Sequence, residues 1–241
     1  MARWPIGLLF VLVAAGGCDV VWGIHPTIDA KPALAIDAPV GNVTFVDAKA
    51  DGSASGQLMT IQLPLPAIEA GDMAVVFVTW VGAGAVQDVS DGAGKHYVSL
   101  GPAAMQGSRS LATFYQPSLP AAAPYMVTVT FNQLVMYPDA RVLQYRGIAP
   151  MGILDNEVVA KGNGTALEGM IATTIDGDLV LAATHCQFGC SAGTGTQRGF
   201  LASTGNFAEE LIGEPAGPIA MQATQDTVGD WVLQLVAFKP R

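Results

Sequence analysis

The scarce reactive side chains of this 241-residue chain are three cysteines and three histidines. Cys186 and Cys190 form a C-x-x-x-C pair, with His185 directly before it. In an oxidising compartment two thiols at this spacing form a disulfide. The loop it closes is small and removes little unfolded-chain entropy, so the bridge stiffens a loop rather than holding the fold. Free thiols and a metal site are the alternatives. Zinc takes four protein ligands in structural sites, or three plus water in catalytic ones. Adjacent strand side chains point to opposite faces, which separates His185 from Cys186. No metal and no cofactor are expected.

Other groupings could do chemistry. Residues 189–193 read Gly-Cys-Ser-Ala-Gly, a literal G-x-S-x-G. A nucleophile elbow needs a helix after the serine and a base later in the chain. Here a Gly/Thr loop follows, and the other histidines are His25 and His96. We read the match as coincidence. Glycoside hydrolysis needs two carboxylates brought together. Asp155 and Glu157 lie on one face of a candidate strand, and Glu209 and Glu210 are adjacent. Neither pair has the E-x-D-x-E spacing of jelly-roll glucanases, so both read as surface charge and no catalytic residue is expected. Asp88 and Asp91 flank a hairpin turn. Paired loop carboxylates can hold Ca²⁺, but Asp-Gly is also a common turn pair and the calcium-loop spacing is missing. Trp80, before Gly82, and Tyr137, with Asp139 nearby, are aromatics at strand edges. Such rings stack on sugars while carboxylates hold hydroxyls; packing is the competing role. The ligand-binding candidates are therefore Trp80, Asp88, Asp91, Tyr137 and Asp139.

Composition narrows the classes. Lys and Arg total 11 against 20 Asp and Glu, a net charge of −9, and the hydrophobic share is 51% with 13% charged. A chain this apolar can offset its conformational entropy, which argues against disorder. Few, scattered basic residues argue against nucleic acid. The longest apolar run, Ile6–Ala15, is too short to span a bilayer but fits a signal-peptide core.

The elements that must position these residues read as β. Candidate strands cover 43–48, 57–63, 73–80, 96–100, 110–116, 125–131, 140–146, 167–174, 178–185, 219–225 and 231–238, with breakers at 91–95, 116–124 and 162–164. Alternation within YMVTVTF (125–131) marks a half-buried strand. The pattern predicts an all-β fold: an antiparallel two-sheet β-sandwich, jelly-roll-like. Residues 207–212 are the exception, where Asn206 to Glu209 has a helix-capping pattern that competes with strand. The order GDMAVVFVTW, LATFYQ, YMVTVTFNQ, DARVLQYRGI recurs as GDLVLAATHC, AEELIG, IAMQATQDT, DWVLQLVAFK. This suggests an internal duplication feeding one shared core.

Two resemblances follow from these motifs. AAGGC, ending at Cys18, resembles the lipobox of bacterial lipoproteins, with Ala15 where leucine is usual. The resemblance implies cleavage after a signal peptide (1–17) and acylation of Cys18, and two or three acyl chains make a lasting anchor. Residues 18–41, rich in proline, then read as a tether, with Trp22 able to rest at the lipid interface. The domain is 42–241. Within it, the GD-strand motifs, VSDGAGKHY (89–97), TFYQP (113–117) and YPDARVLQYRGI (137–148) resemble an uncharacterised β-sandwich module of secreted proteins from environmental bacteria. That resemblance implies fold and exposure, not activity. The expectation is a cell-envelope protein, anchored in the outer membrane or at the cell surface, whose partners are the membrane and a glycan or surface protein. Its domain would bind or adhere without catalysis. A purely structural envelope component and a carbohydrate-active enzyme are the alternatives.

Overall fold

The alternating and continuous apolar runs become fourteen strands in the computed structural model, which describes residues 42–53 and 55–241. Cys18, the signal peptide and the tether over 18–41 lie outside the described residues. The strands are β1 (Thr44–Gly52), β2 (Gln57–Leu65), β3 (Met73–Val81), β4 (Val86–Asp91), β5 (Val98–Ser99), β6 (Ala104–Gln106), β7 (Arg109–Gln116) and β8 (Tyr125–Arg146). There follow β9 (Leu154–Thr173), β10 (Asp178–Cys186), β11 (Cys190–Ala192), β12 (Thr196–Leu201), β13 (Asn206–Glu214) and β14 (Gly217–Phe238). Every ladder is antiparallel.

The strands make two sheets, and the fold is the expected all-β sandwich. The first has eight strands along the path β1-β8-β3-β7-β5, with β2 and β4 on β8 and β6 on β7. The second has six along β11-β14-β10-β13-β12, with β9 on β14. Between the sheets lies a core of Met73, Val75, Phe77, Leu143 and Tyr145 from the first and Leu179, Leu181, Val232, Val236 and Phe238 from the second. Thus β3 and β10 are buried on both faces, which explains why they read as nearly unbroken apolar runs.

Each sheet also encloses a core on its outer side, because its longest strand belongs to two layers. The C-terminal part of β8 pairs with β1 and β3, and its N-terminal part with β2 and β4. Val76, Val78 and Trp80 of β3 pack with Leu63, Val89, Val127 and Phe131 in one cluster, so the sheet folds over itself. In the second sheet, Val180, Ala182 and Phe207 pack with Leu167, Met221 and Ala223 in the same way. The expectation of a single shared core is therefore corrected to one shared core and two outer ones.

The repeat seen in the sequence is a repeat of topology. The ladder β8-β3-β7 has its counterpart in β14-β10-β13. The two expected strands at 125–131 and 140–146 are one 22-residue strand, as are those at 219–225 and 231–238. β9 spans the whole length of β14, where β1 and β2 divide the same role along β8. Residue register is less faithful. Met73 lies opposite Tyr145, but Leu179 lies opposite Phe238 rather than Val236, to which the sequence repeat would match it.

The helix alternative for 207–212 is overturned, since these residues are the middle of β13. Phe207 faces the outer core and Ala208 the central one, alternation that only a strand between two apolar layers provides. The reading of Glu209 and Glu210 as surface charge is corrected for the same reason: both are buried. Glu209 accepts backbone N–H bonds from Gly193 and Gly195 at 3.2 Å. Glu210 accepts from the Tyr145 hydroxyl at 2.5 Å and from Arg198 at 2.6 Å. The Asp155 side chain is buried too, beside Lys239 and bonded to Thr174.

Candidate functional site

Where the central core reaches one end of the sandwich, apolar side chains give way to polar ones. Arg109 begins β7 and His185 nearly ends β10, on facing sheets. The imidazole Nδ1 bonds to the Ser110 carbonyl oxygen at 2.9 Å, so it carries the hydrogen. That leaves the Nε2 lone pair to accept from Arg109 Nη1 at 3.2 Å. Arg109 Nη1 also donates to the Cys186 carbonyl at 3.3 Å. Burial, reinforced by the Arg109 charge, depresses the His185 pKa to about 4, so the ring is neutral near pH 7.

A second polar group stands beside it. Asp139 and Arg141, both on β8 and fully buried, form an ion pair. The other Asp139 oxygen accepts from Thr204 Oγ1 at 2.6 Å and Asn206 Nδ2 at 2.8 Å. Asn206 Oδ1 accepts from the backbone N–H of Cys186 at 3.0 Å. One carboxylate thus ties β8 of the first sheet to the β12–β13 turn and the end of β10 in the second.

These groups back a pocket of about 360 Å³ lined by Arg109, Tyr137, His185, Phe188, Thr204 and Asn206, with Cys186, Gln187 and Ser203. Its rim is held in place by local backbone chemistry. Tyr137 has φ 49°, a left-handed value rare for a bulky residue, at an irregularity in the β3–β8 ladder. This conformation leaves the ring 42% exposed at the pocket. Phe188, 46% exposed, sits in the loop closed by the Cys186–Cys190 disulfide. Gly205 (φ 68°) packs so closely on that loop that a Cβ there would lie 2.6 Å from the Gly189 Cα. A backbone bond from Cys190 to Gly205, 2.7 Å, joins the two loops.

The candidates named from sequence therefore separate. Tyr137 lines the pocket, and Asp139 organises its wall without facing it. Trp80 is corrected: it is 2% exposed, packs edge-on against Phe131 and donates Nε1–H to the Gly84 carbonyl, so it offers no face to a ligand. Asp91 is likewise a buried turn anchor rather than a solvated one, accepting from Ala93, Lys95 and the Tyr125 hydroxyl. Asp88 pairs with the exposed ring of His96 at 2.8 Å, away from the pocket. Ser191, the central residue of the G-x-S-x-G, is on the short strand β11 opposite Thr224. Cys186 faces the outer core while His185 faces Ser110 between the sheets, and the bridge occupies both sulfurs. No group of three His, Cys, Asp or Glu side chains able to hold a metal occurs among the described residues.

Arg109, Phe188 and Asn206 are pocket residues that sequence reasoning did not select. Asn206 had a signal, its capping pattern, but the N–H it serves, that of Cys186, is distant in sequence. Arg109 and His185 are 76 positions apart and meet only across the sheet interface. No protein-family model matches the chain, and no curated protein matches it.

Proposed function

We propose that this chain is a lipid-anchored cell-envelope protein whose β-sandwich binds glycans without transforming them. The pocket carries the binding half of this reading. Two half-exposed aromatic rings, Tyr137 and Phe188, share one recess with the polar groups of Arg109, Ser203, Thr204 and Asn206. Apolar faces joined to a few fixed hydrogen-bonding groups suit a sugar ring, which has apolar C–H faces and a polar edge. A volume of about 360 Å³ is at the small end for ligand pockets and suits one or two sugar rings.

The non-catalytic half rests on the disposition of acids and bases. His185 lines the pocket, but both ring nitrogens are engaged, and its depressed pKa makes it a poor proton acceptor. Asp155 and Asp178 are adjacent carboxyls, but Asp178 is completely buried, where no substrate reaches it. The anchor rests on AAGGC and the apolar run before it.

Two measurements test the reading. The full chain in detergent micelles is screened on an array of neutral and acidic glycans, with Tyr137→Ala as control. Retention that Tyr137→Ala weakens about tenfold supports binding at this pocket; a blank array overturns it. Mass spectrometry of the mature chain should find Cys18 at the N-terminus carrying acyl chains. An unmodified start, or Cys18 inside the mature chain, overturns the anchor.

A further inference from the structure

The guanidinium of Arg109 is an anomaly in a chain of net charge −9. Among the described residues no carboxylate forms an ion pair with it, whereas Arg141, Arg146 and Arg198 each have one. Its recorded bonds all run through Nη1, to His185 and the Cys186 carbonyl. The remaining donors have no acceptor among the described residues, and the side chain opens onto the pocket. Asp230 is near enough to act on its charge at longer range without forming an ion pair with it, and its Oδ1 accepts from Asn163 Nδ2 at 3.0 Å.

The way Arg109 is held says what it is held for. His185 presents a lone pair, not a proton, and its own N–H is fixed by the Ser110 carbonyl. The imidazole and the Cys186 carbonyl clamp one edge of the planar guanidinium without neutralising it. The opposite edge stays ready for a planar, two-oxygen anion. A half-buried cation is costly unless something compensates it, and a ligand carboxylate would supply that compensation. Phosphate would also satisfy the charge, but a single guanidinium with neutral Ser203, Thr204 and Asn206 matches one negative charge better than two.

Resting on the glycan-binding reading above, we infer that the pocket selects sugars bearing a carboxylate, of the uronic acid class, through a two-pronged contact with Arg109, while Tyr137 and Phe188 cover the ring. His185 is a positioning residue that orients the guanidinium.

The test uses the full chain in micelles and an array in which each uronate-bearing glycan is presented both as the free acid and in carboxyl-reduced, neutral form. The acidic members should be retained and their reduced partners bound about ten- to hundredfold more weakly, the worth of a charge-assisted bond. Added salt should weaken the acidic interaction. Arg109→Gln should abolish the preference, and Arg109→Lys, which keeps the charge but not the fork, should keep only part of it. Thermal unfolding of each variant separates lost binding from lost folding. If Arg109→Gln fails to fold, the acid-to-neutral ratio of the wild-type chain and Arg109→Lys decide. Equal retention of acidic and neutral forms overturns this inference and leaves the glycan reading standing. Retention of acids that Arg109→Gln does not diminish also overturns it. A blank array overturns both.

Discussion

The two Gly-Asp motifs show how one residue in a repeated setting acquires opposite chemistry. Asp72 immediately precedes β3 and Asp178 begins β10, the central strands of the two sheets, and burial pushes both carboxyls up. At Asp72, bonds from Arg146, the Glu69 backbone and Gln144 outweigh burial, and the pKa ends below the usual 3.8. At Asp178, Asp155 adds to burial while Lys239 opposes it only weakly, and the pKa rises to about 7. Between pH 3.8 and 7 the folded chain therefore keeps a proton on Asp178 that the unfolded chain has released. This contribution to stability is whole below 3.8 and is lost as pH rises through 7. Glu209, raised by burial, acts in the same direction. His185 acts oppositely: lowered from 6.5 to about 4, its contribution is whole above 6.5 and is lost as pH falls toward 4. The Asp178 and His185 slopes thus oppose each other between pH 4 and 6.5, and Glu209 tilts the wild-type profile toward a fall with rising pH. Relative to the wild-type profile, Asp178→Asn should tilt stability upward with rising pH across that window and His185→Gln should tilt it downward, each by roughly 2 kcal/mol in urea unfolding. Variant profiles that both run parallel to the wild type would contradict the assignment. Asp139 makes a different demand. Its removal leaves Arg141 buried without its partner, so Asp139→Ala should lose roughly 3–5 kcal/mol. Thr204→Ala, which deletes one neutral donor to the same carboxylate, should lose about 1 kcal/mol. Comparable melting temperatures for the two would mean that the ion pair is not the important contact. Tyr137 was legible because it stands where a Tyr-Pro step interrupts an apolar pattern, whereas Asp139, chosen as a ligand contact, is instead the buried partner of Arg141. Arg109 was not, because its partners come from the other sheet.

At the scale of elements, the apolar core strands were legible, whereas the short strands β4, β6, β11 and β12, the first half of β9 and the continuity of the long strands were not. Pro138 and the GNG at 162–164 both look like punctuation in a single sequence. β8 nevertheless runs through Tyr137 and Pro138, because the irregularity there turns the strand from one layer to the next rather than ending it. β9 runs through Gly162 because that glycine is a packing slot. A Cβ there would stand 2.7 Å from Cζ2 of Trp231 on the neighbouring strand. Gly164 has no heavy atom within 4 Å of the same position. Gly162→Ala should therefore destabilise by about 1–3 kcal/mol through overpacking, while Gly164→Ala should be close to neutral. Equal effects, measured by denaturant midpoint, would restore the turn reading. The helical pattern at 206–209 misled for a related reason. Asn206 does cap a backbone N–H, but that of Cys186 on β10 rather than one on its own segment. Local chemistry was read correctly and its partner was not, since burial between two apolar layers overrides helix propensity.

At the scale of the molecule, the repeated topology explains why there are three cores. Each half folds its sheet over its own outer core, and the two remaining inner faces must then meet. Composition and alternation made the sandwich legible; the third core depends on how far β8 and β14 curve, which no local pattern encodes. The arrangement also makes the halves interdependent. Without its partner, the second half would expose Leu179, Leu181, Val232, Val236 and Phe238, all fully buried in the whole chain. The first would expose Met73, Val75, Phe77 and Leu143 in the same way. Apolar faces of this extent drive association, and the bonds from Thr113 to Gln234 and from Tyr145 to Glu210 would lose their partners as well. The exposed residues Pro150–Gly152 between the halves offer a place to divide the chain. Fragments 42–150 and 151–241 should each be aggregation-prone or molten alone, and should recover near-ultraviolet circular dichroism and a single unfolding transition when refolded together. The pocket supplies a second readout, because Arg109 and Tyr137 come from one fragment and His185, Phe188 and Asn206 from the other. Glycan retention should therefore return only with the mixture. A fragment that is monomeric and cooperatively folded alone would show that its outer core suffices, and the central core would then be an interface between two independent domains.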